Sequence, residues 1–301
     1  MSDTTVLSRT PRLMPALGKG VLTGIGKRPH PGAALPPTRL VLPAARIDPA
    51  DVAAYARVCG FPETGPLPLT YPHILGFPLA ARLMSARAFP LPLLGLVHTT
   101  LEIEQYTQLE IEDYLELSVR AEELRAHRRG TEVVMTTEAR RAGRLVWVDR
   151  SGYLARHRVP DDHEGSTPEE PSPDLPTLPV RDRWQLPAGL GRRHAAVSGD
   201  YNPIHLHPLT ARPLGFPRAI AHGMWTAARC AAAAVPAGAA AVRLTAAFRA
   251  PVLLPATVSY AQRDTADGTV AFQLRGDTGE RPRVHLSGTV ELLPGPAAPA
   301  D

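Results

Sequence analysis

The chain runs through one order of elements twice. "QYTQLEIEDYLEL" (Gln105 to Leu117) lies over "FRAPVLLPATVSY" (Phe248 to Tyr260) without a gap. Upstream of each stands a Pro-rich loop, a histidine and a small apolar helix. In the first half this is "TYPHILGFPLAARLMSARAF" (Thr70 to Phe89), in the second "AIAHGMWTAARCAAAAV" (Ala219 to Val235). Period-two alternation marks half-buried antiparallel strands in "EVVMTTEARRAG" (Glu132 to Gly143), "RLVWVDRSGYL", "TVAFQLRG" and "RVHLSGTVEL". The Gln105–Leu117 stretch reads as a strand region as well. Each half is thus a helix followed by several long strands, an α+β pattern whose economical packing is an antiparallel sheet wrapped around its longest helix.

Between the halves, "HRVPDDHEGSTPEEPSPDLPTLPVRD" (His157 to Asp182) is rich in Pro, Asp, Glu and Ser and has no apolar period. Such a segment buries too little to offset its ordering entropy and reads as a linker. The expected organisation is an irregular, basic arm over 1–38, a first sheet-and-helix domain over 39–156, the linker over 157–182, a second domain over 183–295 and a tail over 296–301. Each half also has an earlier short helix. Asp48 and Pro49 form an N-cap and first-position pair ahead of "ADVAAYARVC", and a helix around Arg192 to Val197 ends near Gly199.

Composition narrows the class of function. The net charge of +4 over 301 residues is too small to imply nucleic acid, though it suits an anionic carrier group. No segment reaches the roughly 18 apolar residues that span a bilayer. Cys59 and Cys230 have no paired spacing and read as buried or incidental thiols of a reducing, cytoplasmic compartment. Lys19 and four glycines interrupt "LMPALGKGVLTGIG" (Leu13 to Gly26), so it does not read as a signal core.

The chemistry-bearing stretch is "AVSGDYNPIHLHP" (Ala196 to Pro208). Its spacing alone leaves three readings of Asp200 and His205: an acid–base couple, a metal site, or a polar turn in which Asp200 caps backbone amides. An extended backbone would put His205 and His207 on one face, but no third ligand follows at metal spacing, so no metal is expected. Ser198 lacks the Gly-x-Ser-x-Gly setting of a nucleophile. The first half, after "VCGF", continues "PETGPLPLTYP", with neither acid nor histidine in those places.

"SGDYNPIHLHP", followed by "AHGMWTAA" and "FRAPVLLPATV", resembles the MaoC-like hydratases and dehydratases, which include (R)-specific enoyl-CoA hydratases. The resemblance covers the second half closely. It extends to the first as a degenerate copy, as in two-domain members from actinobacteria. It implies a double hot-dog fold, two antiparallel sheets each wrapped around a long helix. It further implies a hydro-lyase acting on 3-hydroxyacyl or enoyl thioesters in fatty-acid metabolism. By that resemblance Asp200 and His205 are the catalytic pair. Gly223 would offer its N–H to the thioester oxygen, Asn202 and Ser198 would support the loop, and Tyr201, His222 and Met224 would border the substrate. His222 and His73 read as mainly structural.

The implied chemistry needs no cofactor. Its partner is a thioester of coenzyme A or of an acyl carrier protein, and the assembly is a monomeric double hot-dog or a dimer of them. The pH dependence should follow an ordinary carboxylate and an ordinary imidazole. The rival functions are a hot-dog thioesterase and a non-catalytic acyl-binding subunit.

Overall fold

The computed structural model describes residues 3–24, 26–93, 95–159, 176–277 and 282–294. The linker over 157–182 and the tail over 296–301 fall wholly or largely outside them. The elements are β1 (Asp3–Val6), α1 (Leu13–Gly24), β2 (Thr38–Ala45), α2 (Pro49–Cys59), α3 (Tyr71–Met84), β3 (Val97–Gln105), β4 (Leu115–His127), β5 (Gly130–Arg141) and β6 (Arg144–Arg156). After the linker come β7 (Val180–Leu186), α4 (Leu190–Ser198), α5 (Pro203–Leu206), α6 (Pro208–Ala211), α7 (Gly223–Ala234), β8 (Val242–Phe248), β9 (Ala256–Asp264), β10 (Val270–Gly276) and β11 (Val284–Leu292).

The repeat is one of topology as well as sequence. In the first half the strands lie in the order β2-β4-β5-β6-β3; in the second, β7-β9-β10-β11-β8. Both place the strand that follows the main helix at the far edge from the strand that precedes it. This is the hot-dog arrangement, and the chain is an α+β double hot-dog. The gapless overlay holds at its start, since β3 ends at Gln105 and β8 at Phe248. The expected strand over Gln105–Leu117 is corrected: Tyr106 to Tyr114 is loop and turn, joining two strands as Arg249–Pro255 does in the second half.

Two compact units form. One comprises Met1–Ala45, Leu75–Leu101 and Tyr114–Thr177; the other comprises Arg46–Ile74, Glu102–Asp113 and Leu178–Asp301. In the first, β5 and β6 are joined by a tight hairpin in which Arg141 pairs with Arg144. Ala142 and Gly143 both take positive φ, 50° and 79°, the backbone that a two-residue primed turn requires. Leu79, Ala81, Leu83 and Met84 of α3 are buried, as ordinary core. A side chain at Gly76 would meet Thr137 Cγ2 at 2.6 Å, so the glycine lets α3 lie close on β5. The arm over 1–38, expected to be irregular, instead carries α1 and a β1 that pairs in parallel with β2, Thr4 opposite Arg39. The unpaired edge of β2 accepts even so short a strand.

In the second unit, α7 packs on β8, β10 and β11. Its alanines keep that approach close: Ala227, Ala228 and Ala231 are fully buried. The same unit contains α2, which contacts α4 and α7. Trp225 on α7 donates its indole N–H to the carbonyl of Val58 at 2.8 Å. Asp48 caps α2 as the sequence implies, accepting from Ala50 N–H at 3.0 Å.

Candidate active site

Two helices end in the same way and diverge at the next residue. α2 stops at Gly60 (φ 81°) and α4 at Gly199 (φ 74°), each left-handed glycine donating its N–H to the carbonyl four residues back. After Gly60 come Phe61, Pro62 and Glu63, and Glu63 pairs at the surface with Arg57 at 2.6 Å. After Gly199 come Asp200, Tyr201 and Asn202. One copy of the turn carries a carboxylate at its first position and the other an ordinary ion pair.

Local hydrogen bonds set the second turn. The Asp200 N–H donates to Ser198 Oγ (3.2 Å), and Asp200 Oδ1 accepts from Asn202 N–H (3.1 Å). Asn202 Oδ1 accepts from Ile204 N–H and caps α5, with Pro203 in its first turn. Asp200 therefore does cap a backbone amide, but its carboxylate stays about a quarter exposed, at 28%. α5 carries His205 inward until only 7% remains exposed. α4 and α5 touch so closely that a Cβ on Gly191 would lie 1.9 Å from the His205 carbonyl oxygen.

His205 and His222 form a stacked pair, ring centres 3.7 Å apart and 24° from parallel. His205 Nδ1 lies 2.9 Å from the carbonyl of Ile220. A carbonyl only accepts, so Nδ1 carries the proton and Nε2 presents a lone pair. His222, the residue before α7, donates from Nε2 to the Asp200 carbonyl at 2.9 Å, and that nitrogen is 3.8 Å from the Asp200 carboxylate. One ligand-type atom of each of Asp200, His205 and His222 lies within 4.8 Å of the others. That proximity would admit a cation, but near-parallel rings send their in-plane lone pairs side by side rather than to a common point.

Burial dominates the electrostatics. It pushes His205 down from 6.5 to about 3; His222 adds to the fall, and Asp200 with the Ile220 hydrogen bond opposes it. Burial also lowers His222, against Asp200. The expectation of an ordinary imidazole is thus corrected: desolvation disfavours the charged ring, and at neutral pH both imidazoles are uncharged.

The remaining sequence candidates fall in distinct places. Gly223 opens α7, where the first-turn N–H groups lack intrahelical partners and face the positive end of the helix dipole. A Cβ there would press Phe248 at 3.2 Å. Met224 is buried in the same turn, whereas Tyr201 is exposed at 42%. His207 is not on a strand with His205. It caps α6 by accepting from Leu209 N–H at 3.2 Å. His73 is buried inside α3, whereas His222 stands at the cap of α7, so the two histidines match in sequence and not in helical position.

The sequence reading missed His194. It is 1% exposed, its ring centre is 4.5 Å from that of His222, and among the described residues neither ring nitrogen has a hydrogen-bond partner. Burial, then His222, His205 and His73, hold its pKa well below the usual value. The available signal was helical spacing: His194 precedes Ser198 by four residues and so shares its face. Cys59 and Cys230 are buried, and burial pushes Cys59 up to about 12.

The arrangement is one neutral imidazole lone pair, one carboxylate close by, and a helix N-terminus able to receive developing negative charge. It can accept a proton, return it, and hold a water between two acceptors.

Comparison with known proteins agrees. Residues 177–276 match the MaoC-like domain. Over 247 residues the chain is 39% identical to 3-hydroxyacyl-thioester dehydratase X of Mycobacterium tuberculosis, covering 82% of this chain and 86% of that protein. The crystal structure of HtdX from that organism superposes with a TM-score of 0.72 at 36% identity, over 85% of this chain and all (100%) of the other. A MaoC-like dehydratase from Phytophthora capsici shares the fold, with a TM-score of 0.66 at 19% identity over 93% of this chain and 99% of that one. Among the described residues no helix is long and apolar enough to cross a membrane. By its kinship with the mycobacterial dehydratase over most of both chains, this protein belongs to the MaoC-like dehydratase family.

Proposed function

We propose that the chain catalyses the reversible dehydration of (3R)-hydroxyacyl thioesters to trans-2-enoyl thioesters, acting in reverse as an (R)-specific enoyl-CoA hydratase of fatty-acid or related acyl metabolism. The observation that carries this reading is the fixed tautomer of His205. Its Nδ1–H is tied to Ile220, which leaves Nε2 as the lone pair, and a ring nitrogen of His205 lies within 4.8 Å of an Asp200 carboxylate oxygen.

In the dehydration direction, Nε2 of His205 takes the C2 proton. The C2–H electron pair moves toward the thioester carbonyl, whose oxygen gains charge and is met by the N–H of Gly223 at the start of α7. The Asp200 carboxylate stabilises the imidazolium that forms. The electrons then return to make the C2=C3 double bond, the C3–O bond breaks, and the departing hydroxyl collects the proton from Nε2 and leaves as water. One base on one face can serve both transfers, which gives a syn elimination. Hydration runs through the same steps backwards. Asn202 and Ser198 hold the Asp200 turn, and Met224, Tyr201 and His222 border the bound acyl group.

The reaction needs no metal or redox cofactor in this account. The carrier of the acyl group is coenzyme A or an acyl carrier protein, and the compartment is the reducing cytoplasm, in keeping with two buried free thiols. The test is an assay of purified full chain with enoyl thioesters, following loss of the conjugated absorbance and release of free thiol in parallel. The absorbance should fall without thiol release and at an unchanged rate in EDTA. Asp200→Asn and His205→Ala should each cost about 10²–10⁴-fold in turnover with the fold retained. Thiol release as the main product would replace this reading with a thioesterase.

A further inference from the structure

From Trp184 to Tyr260 the chain has seven arginines and a single acid, Asp200 itself. Several arginines elsewhere pair with carboxylates: Arg39, Arg120 and Arg140 all pair with Glu138, and Arg243 pairs with Glu104. Around the α4–α5–α6 run they do not. Arg192, Arg193, Arg212 and Arg218 are exposed. Among the described residues none of the four has an ion-pair partner. Three are held instead by backbone carbonyls: Arg192 by Leu206 at 2.9 Å, Arg212 by Pro217 at 3.4 Å and Arg218 by Pro255 at 3.4 Å. A carbonyl positions a guanidinium without neutralising it, so the positive charge stays available and its site is fixed in advance.

The same run exposes apolar surface. Leu209 is 66% exposed, Tyr201 42% and Leu214 41%. α4 touches α5, α5 touches α6, and α6 touches the short 3-10 turn Arg212–Leu214, so Leu209 and Leu214 stand on elements contiguous with the turn of Asp200 and with α5, which bears His205. The phosphates of coenzyme A would engage the arginines, and its adenine a single flat apolar contact. Unneutralised arginines interleaved with large exposed apolar groups match a protein surface that is acidic and has an apolar stripe.

We infer that the Arg193–Arg212–Arg218 face, with Leu209 and Leu214, docks an acidic acyl carrier protein that presents the thioester to the Asp200–His205 pair. The inference rests on the dehydratase reading above and assigns its carrier. Docking of this kind is steered by charge, so it acts mainly on the rate of encounter and weakens with salt.

The test compares one enoyl chain on coenzyme A with the same chain on a carrier protein, using the full-length enzyme. The Arg212→Glu/Arg218→Glu double variant and, separately, Arg193→Glu should lower kcat/KM for the carrier-protein substrate by about tenfold or more. They should leave the coenzyme A substrate within about twofold, and the wild-type salt dependence should be steep only for the carrier protein. Equal losses on both substrates would assign the arginines to coenzyme A phosphates and overturn the proposal, as would an unchanged rate with the carrier protein. Arg192 is left alone because it supports the helix that bears His205. If wild type turns over neither substrate, the dehydratase reading has failed. Docking is then judged by carrier-protein binding in fluorescence anisotropy, where loss on Arg212→Glu/Arg218→Glu upholds it and unchanged or undetectable wild-type binding ends it.

Discussion

The buried imidazoles make acid stability a direct readout of the candidate site. His205 has its pKa lowered from 6.5 to about 3 by burial first and by His222 second. Above pH 6.5 the ring is neutral in the folded and unfolded chain alike, and titration contributes nothing. Below it the unfolded ring takes a proton that the folded ring refuses, so stability falls with falling pH until the folded ring titrates near pH 3. Each unit in that window is worth about 1.4 kcal/mol for one proton. At about pH 5, some 1.5 units below the ordinary value, His205 alone costs about 2 kcal/mol, a sizeable share of a typical 5–15 kcal/mol. His194 and His222 shift in the same direction and add to the slope. Urea denaturation at pH 7.5 and at about pH 5 measures the change. His205→Gln should lose about 2 kcal/mol less between the two values than wild type does, whatever its absolute stability. Wild type and variant with the same pH slope would show that His205 is not held neutral by burial, and the tautomer argument would fall with it.

Other expectations follow from close contacts. Gly191→Ala would drive a methyl into the His205 carbonyl, 1.9 Å from the ideal Cβ position. It should cost about 1–3 kcal/mol and most of the activity, read by thermal melting and turnover together; wild-type kinetics would mean that α5 can shift without harm. A chain starting at about Pro179 lacks α2 and β3, and with them the Val58 carbonyl that receives the Trp225 N–H and the Glu104 carboxylate that pairs with Arg243. Size-exclusion chromatography should find it aggregated or self-associated. A well-behaved, fully active monomer would show that the segments from the first half are dispensable to the second unit.

Much of the site was legible because its determinants are local. Asp48 with Pro49, Gly60 and Gly199 mark helix ends by backbone chemistry that neighbours do not override. "GDYNPIH" carries its own turn in the Asp200 and Asn202 side-chain bonds. What escaped depends on distant parts of the chain meeting. Nothing near His194 or His222 in sequence says that their rings approach within 4.5 Å. The lowered pKa of His205 has the same origin, since it comes from burial and a neighbour 17 positions away. The membership of α2 in the second unit is likewise set by packing against α4 and α7. The β1 strand escaped for a different reason: four residues carry too little period, and only the open edge of β2 defines them.

Asp200 and His205 are proposed to form one acid–base site working on one face of an enoyl thioester. Chiral analysis of the product of crotonyl-CoA hydration, with wild type and Asp200→Asn side by side, tests it most directly. Wild type should give (R)-3-hydroxybutyryl-CoA, and the variant little product of either hand. An (S) product, or an (R) product formed as fast by Asp200→Asn, would contradict it.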